Sequence, residues 1–115
     1  MKSILFVNPL RPGKLEEYKV FAAEITGPRR KEFIDLLKRY RLKTSEVWVH
    51  QLGDINYVIV RHEVENAIAN PLANWLTSTH PFDQWFQQQL SRLHDMEAVI
   101  PPNLLFALDT QRKDS

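Results

Sequence analysis

The chain contains no cysteine. Disulfides, thiolate metal sites and thiol catalysis are therefore excluded. It has only three glycines in 115 residues, too few for a glycine-rich loop of the kind that cradles phosphate. Neither sign of charge dominates: 15 Lys and Arg stand against 14 Asp and Glu, for a net charge of +1. Such a balance argues against a dedicated nucleic-acid binder. The apolar run at residues 4–7 stops at Asn8-Pro9, too early for the core of a secretory signal, and nothing approaches membrane-spanning length. A cytoplasmic protein with no nucleic-acid and no membrane partner is expected. No H-x-H, HExxH or carboxylate cluster occurs, and His62 and His94 have no partner at ligand spacing. No metal is expected.

What is present fits one domain over residues 1–110 with a polar tail at 111–115, long enough to build a core without staples. The most informative stretch is residues 46–61, EVWVHQLGDINYVIVR. Gly53-Asp54 between two β-rich runs predicts a hairpin with a type II′ turn, which has glycine at its first central position. The turn sets the register: Leu52 faces Ile55, His50 faces Tyr57, Trp48 faces Ile59 and Glu46 faces Arg61. One face then carries Trp48, His50, Tyr57 and Ile59, and the other Val47, Val49, Val58 and Val60. Both faces are apolar, so both need covers.

Around the hairpin, residues 2–7 read as a strand closed by Asn8-Pro9. Leu15, Tyr18, Ala22 and Ile25 recur at helical spacing. Thr26-Gly27-Pro28 interrupts, and Phe33, Leu36, Leu37 and Tyr40 continue the stripe. A second helical region is expected from about Asn66, broken at Pro71, with Leu72, Trp75 and Leu76 as a short apolar face. After His80-Pro81, the positions Phe82, Trp85, Phe86, Leu90 and Leu93 predict an amphipathic helix. Pro101-Pro102 ends it, and residues 103–108 read as a last strand. The order is β-α-β-β-α-β, an α+β, ferredoxin-like arrangement: a four-stranded antiparallel sheet with helices on one face. The valine face is the natural one to receive the helices. The Trp48/His50/Tyr57 face then calls for a second copy of the chain, packed sheet to sheet about a two-fold axis.

Several side chains are candidates for chemistry, each with a plainer reading beside it. His50 and Tyr57, paired across the hairpin, suit proton transfer near neutral pH. They equally suit a hydrogen-bonded interface pair, which is the commoner case. Trp48 is a stacking wall for a small ligand or an interface residue. His80 and Asp83 flank a helix start. Asp83 suits the helix dipole there, while the functional reading makes His80 a proton-transfer group with Asp83 as its partner. Arg29 and Arg30, with Lys31, follow Pro28 at the positive end of a helix. A carboxylate or phosphate ligand would relieve that conflict, as would an ion pair with Glu24 or Glu32. Residues 56–64, NYVIVRHEV, could pass for an RNA-recognition strand but lack its glycines and paired stacking aromatics.

RPGKLEEY (residues 11–18), TGPRRKEF (residues 26–33) and STHPFDQWF (residues 78–86) resemble segments of the dimeric α+β barrel superfamily, most closely a group of short bacterial proteins of unknown function. The resemblance spans nearly the whole chain and implies the barrel and the homodimer. EEYKVFA resembles the first helix of the L-rhamnose mutarotases, where a tyrosine is followed four residues later by a histidine. Tyr18 matches the tyrosine, and Ala22 stands where the histidine would be. The Trp85-Phe86 pair is similar to the aromatic pair of their second helix. Asn8 and Trp75 stand where the haem-degrading monooxygenases of the same superfamily carry an asparagine and a tryptophan. Their haem-ligating histidine falls on Trp85, so no cofactor is expected. These resemblances leave two readings. One is a small-molecule-binding barrel performing cofactor-free isomerase, mutarotase or lyase chemistry, with His50 as acid or base, Tyr57 and Tyr18 as orienters, and Trp48 and Trp85 as walls. The other is a non-catalytic ligand-binding or interaction protein on the same scaffold.

Overall fold

The computed structural model describes residues 2–65, 72–95 and 105–111. Six elements follow in order: β1 (Lys2–Pro9), α1 (Leu15–Thr26), α2 (Arg30–Arg39), β2 (Thr44–Leu52), β3 (Ile55–Val64) and α3 (Pro81–Leu93). The sheet is antiparallel with order β1-β3-β2. The β2–β3 register pairs Leu52 with Ile55, His50 with Tyr57, Trp48 with Ile59 and Glu46 with Arg61, as the turn chemistry requires. Gly53 has φ 61° and Asp54 is not among the non-glycine residues with positive φ. That combination marks the type II′ turn, whose twist matches the strands it joins. Arg61 and Glu46 form the expected cross-strand ion pair.

The helical break at residues 27–29 has a local cause. A Cβ at Gly27 would lie 2.9 Å from the Ala23 carbonyl oxygen, so only glycine fits the chain's turn there. Pro28 has no N–H to continue α1. The chain instead folds back through an Arg29 N–H bond to the Glu24 carbonyl at 2.9 Å and restarts as α2. α2 ends with Arg41 in the left-handed region at φ 57°. The Leu42 N–H donates to the Leu37 carbonyl and the Arg41 N–H to the Lys38 carbonyl, the paired bonds of a Schellman motif.

Leu10, Tyr18, Phe21, Ile25, Leu36, Val58, Phe82 and Leu93 form the core, with Val60, Trp75, Trp85 and Phe86 packed against it. Side chains alternate across a strand, so the helices lie on the Val58/Val60 face. The other face, with Trp48, His50, Tyr57 and Ile59, points away from them. The valine expectation holds only for β3. Val47 and Val49 on β2 remain 45% and 42% exposed, because β2 is an edge strand and the strand residues in the core come from the central β3.

The expected four-stranded sheet has three strands among the described residues. Residues 105–108 of the expected last strand carry neither helix nor strand, and residues 103–104 lie outside the described residues. The space beside β1 is taken at one end by the chain leaving α3. Leu10 pairs with His94, the Arg11 N–H donates to the Leu93 carbonyl, and the Asp95 N–H donates to the Pro9 carbonyl. Residues 66–71, where the second helical region was expected to start, are also outside the described residues. Leu72, Trp75 and Leu76 lie on turns rather than a helix, and Leu76 is exposed.

Candidate functional site

The sheet divides the candidate residues into two groups. On the open face lie Trp48, His50 and Tyr57. Trp48 and His50 are exposed and Tyr57 is half-buried. His50 and Tyr57 are direct cross-strand partners, and their side chains are not hydrogen-bonded to each other. On the helix side lie Tyr18, Trp85, His80 and Asp83. No single pocket in one chain can therefore use Tyr18 with His50, or Trp48 with Trp85. The sequence could not show this, because it depends on which sheet face the helices cover.

A cleft of about 480 Å³ opens at the turn end of the sheet, on the side of Val7, Pro9, Ile55 and Tyr57. Its mainly apolar lining also includes Arg11, Asp54, Asn56, Tyr57 and Asp95. Three segments bring these groups together: the β1 exit, the hairpin turn and the chain leaving α3. Arg11 Nε also donates to the Ser91 carbonyl at 3.3 Å, tying the cleft wall to α3. A concave, mainly apolar surface with a few convergent polar groups is the usual form of a small-molecule site. Of these residues only Tyr57 was singled out from the sequence. Arg11, Asp54 and Asn56 fall in segments that the sequence marks for other reasons, Asp95 in none, and the four converge only through the fold.

On the helix side, Asp83 is fully buried. It accepts two hydrogen bonds from Arg39 at 2.7 and 2.8 Å, one from the Tyr40 hydroxyl at 2.8 Å and one from Ser78 Oγ at 2.7 Å. Burial pushes the Asp83 carboxyl up, but the Arg39, Ser78 and Tyr40 hydrogen bonds and the Arg39 charge overcome it and hold the pKa at about 2. Hydrogen bonding to Asp83, in turn, holds the Arg39 guanidinium above its ordinary value. Such a bidentate, fully hydrogen-bonded pair welds α2 to the start of α3. His80 caps α3, its Nδ1 accepting from the Phe82 N–H at 3.2 Å. That bond assigns the ring proton to Nε2, 3.9 Å from Asp35 Oδ2. His80 Nδ1 is 4.0 Å from Asp83 Oδ1. The Asp83 partners on α2 lie more than 40 residues away in sequence, and no local pattern announces them.

Tyr18 is buried, with its ring 5.4 Å from that of His94 and 5.8 Å from that of Phe21. Burial raises its hydroxyl to about 12. His94 is 1% exposed and neither ring nitrogen has a hydrogen-bond partner among the described residues. Burial lowers its pKa to about 4. The nearby Pro9 carbonyl opposes that shift without meeting the full geometry of a hydrogen bond. Asn8, on β1, is half-buried on the helix side. Arg29 lies 4.0 Å above the Trp85 ring and 3.4 Å from Glu24 Oε2, with Glu32 at 3.9 Å. Its neighbours thus answer the charge conflict at the α2 start, while Arg30 is exposed. Among the described residues no group of three or more His, Asp or Glu could hold a metal ion, and no helix is long and apolar enough to cross a membrane.

An antiparallel sheet with helices packed over it defines an α+β protein consistent with a ferredoxin-like fold. Its architecture is similar to that of an L-rhamnose mutarotase from Formosa agariphila, at a TM-score of 0.61, 13% identity, and coverage of 95% of this chain and 100% of that one. No known family profile matches the sequence, and no curated protein matches it. At that identity the likeness establishes the fold.

Proposed function

We propose that the chain acts as a homodimer that binds a small hydroxylated organic molecule in the cleft beside Tyr57. We further propose that it moves a proton on that molecule without a cofactor, as a mutarotase-like isomerase. One observation carries the reading: an open, mainly apolar cleft is lined also by Arg11, Asp54, Asn56 and Asp95. Such a mixture offers donors and acceptors to hydroxyl groups and an apolar surface to a carbon ring. The fold likeness to a mutarotase supports the class. For a cyclic sugar the reaction needs a base to take the proton of the anomeric hydroxyl and an acid to protonate the ring oxygen. The ring then opens to the carbonyl form and recloses on either face. Tyr57, which lines the cleft, and its cross-strand partner His50, on the same sheet face beyond the lining residues, are the two proton-transfer groups in this reading, with Arg11, Asp54 and Asp95 as orienters. Tyr18, His80 and Asp83 hold the helix layer in this reading. The second copy covers the open sheet face and closes the cleft.

The non-catalytic reading has its own support. Ala22 cannot transfer a proton, and the helix-side core is filled by aromatic rings in contact, including Phe21, Phe33, Trp85 and Phe86. Magnetisation-exchange NMR between α and β anomers of L-rhamnose and a panel of other monosaccharides separates the two. Catalysed exchange, abolished in His50→Ala and Tyr57→Phe, is expected. Binding without exchange would leave a ligand-binding protein. Exchange that survives both substitutions would remove this pair from the mechanism.

A further inference from the structure

We propose that the chain leaving α3 is an acid-released strap: protonation of His94 frees residues 94 and 95 from the end of β1 and opens one wall of the cleft. The inference concerns the wall itself and holds whatever ligand the cleft takes. Asp95 lines the cleft, and few bonds hold it there. Its N–H donates to the Pro9 carbonyl at 3.1 Å, and the His94 N–H donates to the Leu90 carbonyl at 2.8 Å. His94 is also bridged to Leu10, which lines the same cleft. The body of α3 is anchored independently, by Phe82 and Leu93 in the core and by Asp83 on Arg39. Of the two strap residues only His94 is buried, and Asp95 is exposed. Releasing them therefore uncovers little surface and breaks few bonds, so it costs less than unfolding the chain.

His94 makes that release sensitive to acid. It is 1% exposed, and both ring nitrogens are unbonded among the described residues. A neutral imidazole is tolerated in such a slot. An imidazolium is not, unless a carboxylate or several acceptors reach it. From α1 the Tyr18 ring packs edge-on against it at 5.4 Å, and burial keeps the Tyr18 hydroxyl protonated, and so uncharged, up to about 12. From β1 comes the Pro9 carbonyl, which already accepts from the Asp95 N–H. No charged side chain offsets the desolvation of His94. The charges around the strap are engaged at the surface: Arg11 Nε on the Ser91 carbonyl, Arg92 on Glu17, and Glu17 on Lys14. A proton on His94 is thus accommodated by moving the ring to water, and the bonds of residues 94 and 95 are the ones that stand in the way.

Hydrogen exchange on the full-length protein, read residue by residue by NMR and corrected for intrinsic rates, tests the strap between about pH 7 and pH 5. The His94 and Asp95 amides should be less protected than those of Val58 and Val60 in the central strand throughout. Below the ordinary histidine value of 6.5 their protection should fall by about tenfold per pH unit, the slope of a single proton bound only in the open form. His94→Phe should flatten that slope. So should His94→Gln, which keeps a polar side chain and has no charge to gain. Strap amides that exchange only through unfolding of the whole chain, with the protection of the central strand, would overturn the proposal. So would protection that does not fall across this range, or a fall that persists in both variants.

Discussion

At the scale of single residues, His94 and Asp83 are both buried ionisable groups that cost stability as pH falls, over different windows. His94 is neutral in the folded chain, with its pKa lowered from 6.5 to about 4. Between those values the unfolded chain binds a proton that the folded chain does not, so stability rises with pH across that window and is lost as pH falls through it. The full effect is roughly 3 kcal/mol as an upper bound. Asp83, lowered from 3.8 to about 2, contributes stability above pH 3.8 that is lost only as pH falls towards 2. The two windows do not overlap. His94→Phe, which keeps an aromatic ring against Tyr18, should therefore flatten the dependence of the urea midpoint on pH between 6.5 and 4. It should leave the loss below 3.8 in place. A wild-type midpoint that does not fall between pH 6.5 and 4.5 would contradict the assignment. Neither role was legible in the sequence. His94 lacks a partner at any informative spacing, and the Arg39 and Tyr40 partners of Asp83 are assembled by the packing of α2 on α3.

At the scale of elements, the hairpin was legible because both of its determinants are local. Gly53-Asp54 dictates the turn, and alternation of side chains dictates the faces, so four pairings follow without knowledge of the rest of the fold. The last strand was not legible for the complementary reason. An apolar run shows that a segment can pair, but not whether its own chain leaves an edge for it. The end of α2 is a place where sequence and geometry conflict. Arg41 sits at φ 57°, where glycine is the usual residue and a side chain costs on the order of 1 kcal/mol. The Leu42 and Leu37 side chains beside it are buried and half-buried, so the motif is held by packing rather than by backbone preference. Arg41→Gly should raise stability by about 0.5–1 kcal/mol despite the added freedom of the unfolded chain. Equilibrium urea denaturation checks it, and a loss of stability would show that the Arg41 side chain does more than its exposure suggests.

At the scale of the whole molecule, one sheet face is covered by helices and the other is open. On the open face Leu5, Trp48, Leu52 and Ile55 are 40–60% exposed, and half-buried Val7, Tyr57 and Ile59 lie among them. These residues come from all three strands, so the patch is a property of the sheet rather than of one element. A patch of this extent favours association with a like surface over exposure to water. Trp48 stands on the outermost strand of that face, far from the helix-side core. A charge placed there has nothing to disturb in a monomer, but in a dimer it would be buried without a partner. Trp48→Glu should therefore yield a folded monomer by sedimentation velocity, with stability at high dilution within about 0.5 kcal/mol of the wild type. Its melting temperature should no longer rise with protein concentration, as that of a wild-type dimer does. If the variant remains dimeric, this face is not the interface. The second copy would then not be what closes the cleft beside Tyr57, and binding there would have to be accounted for by one chain alone.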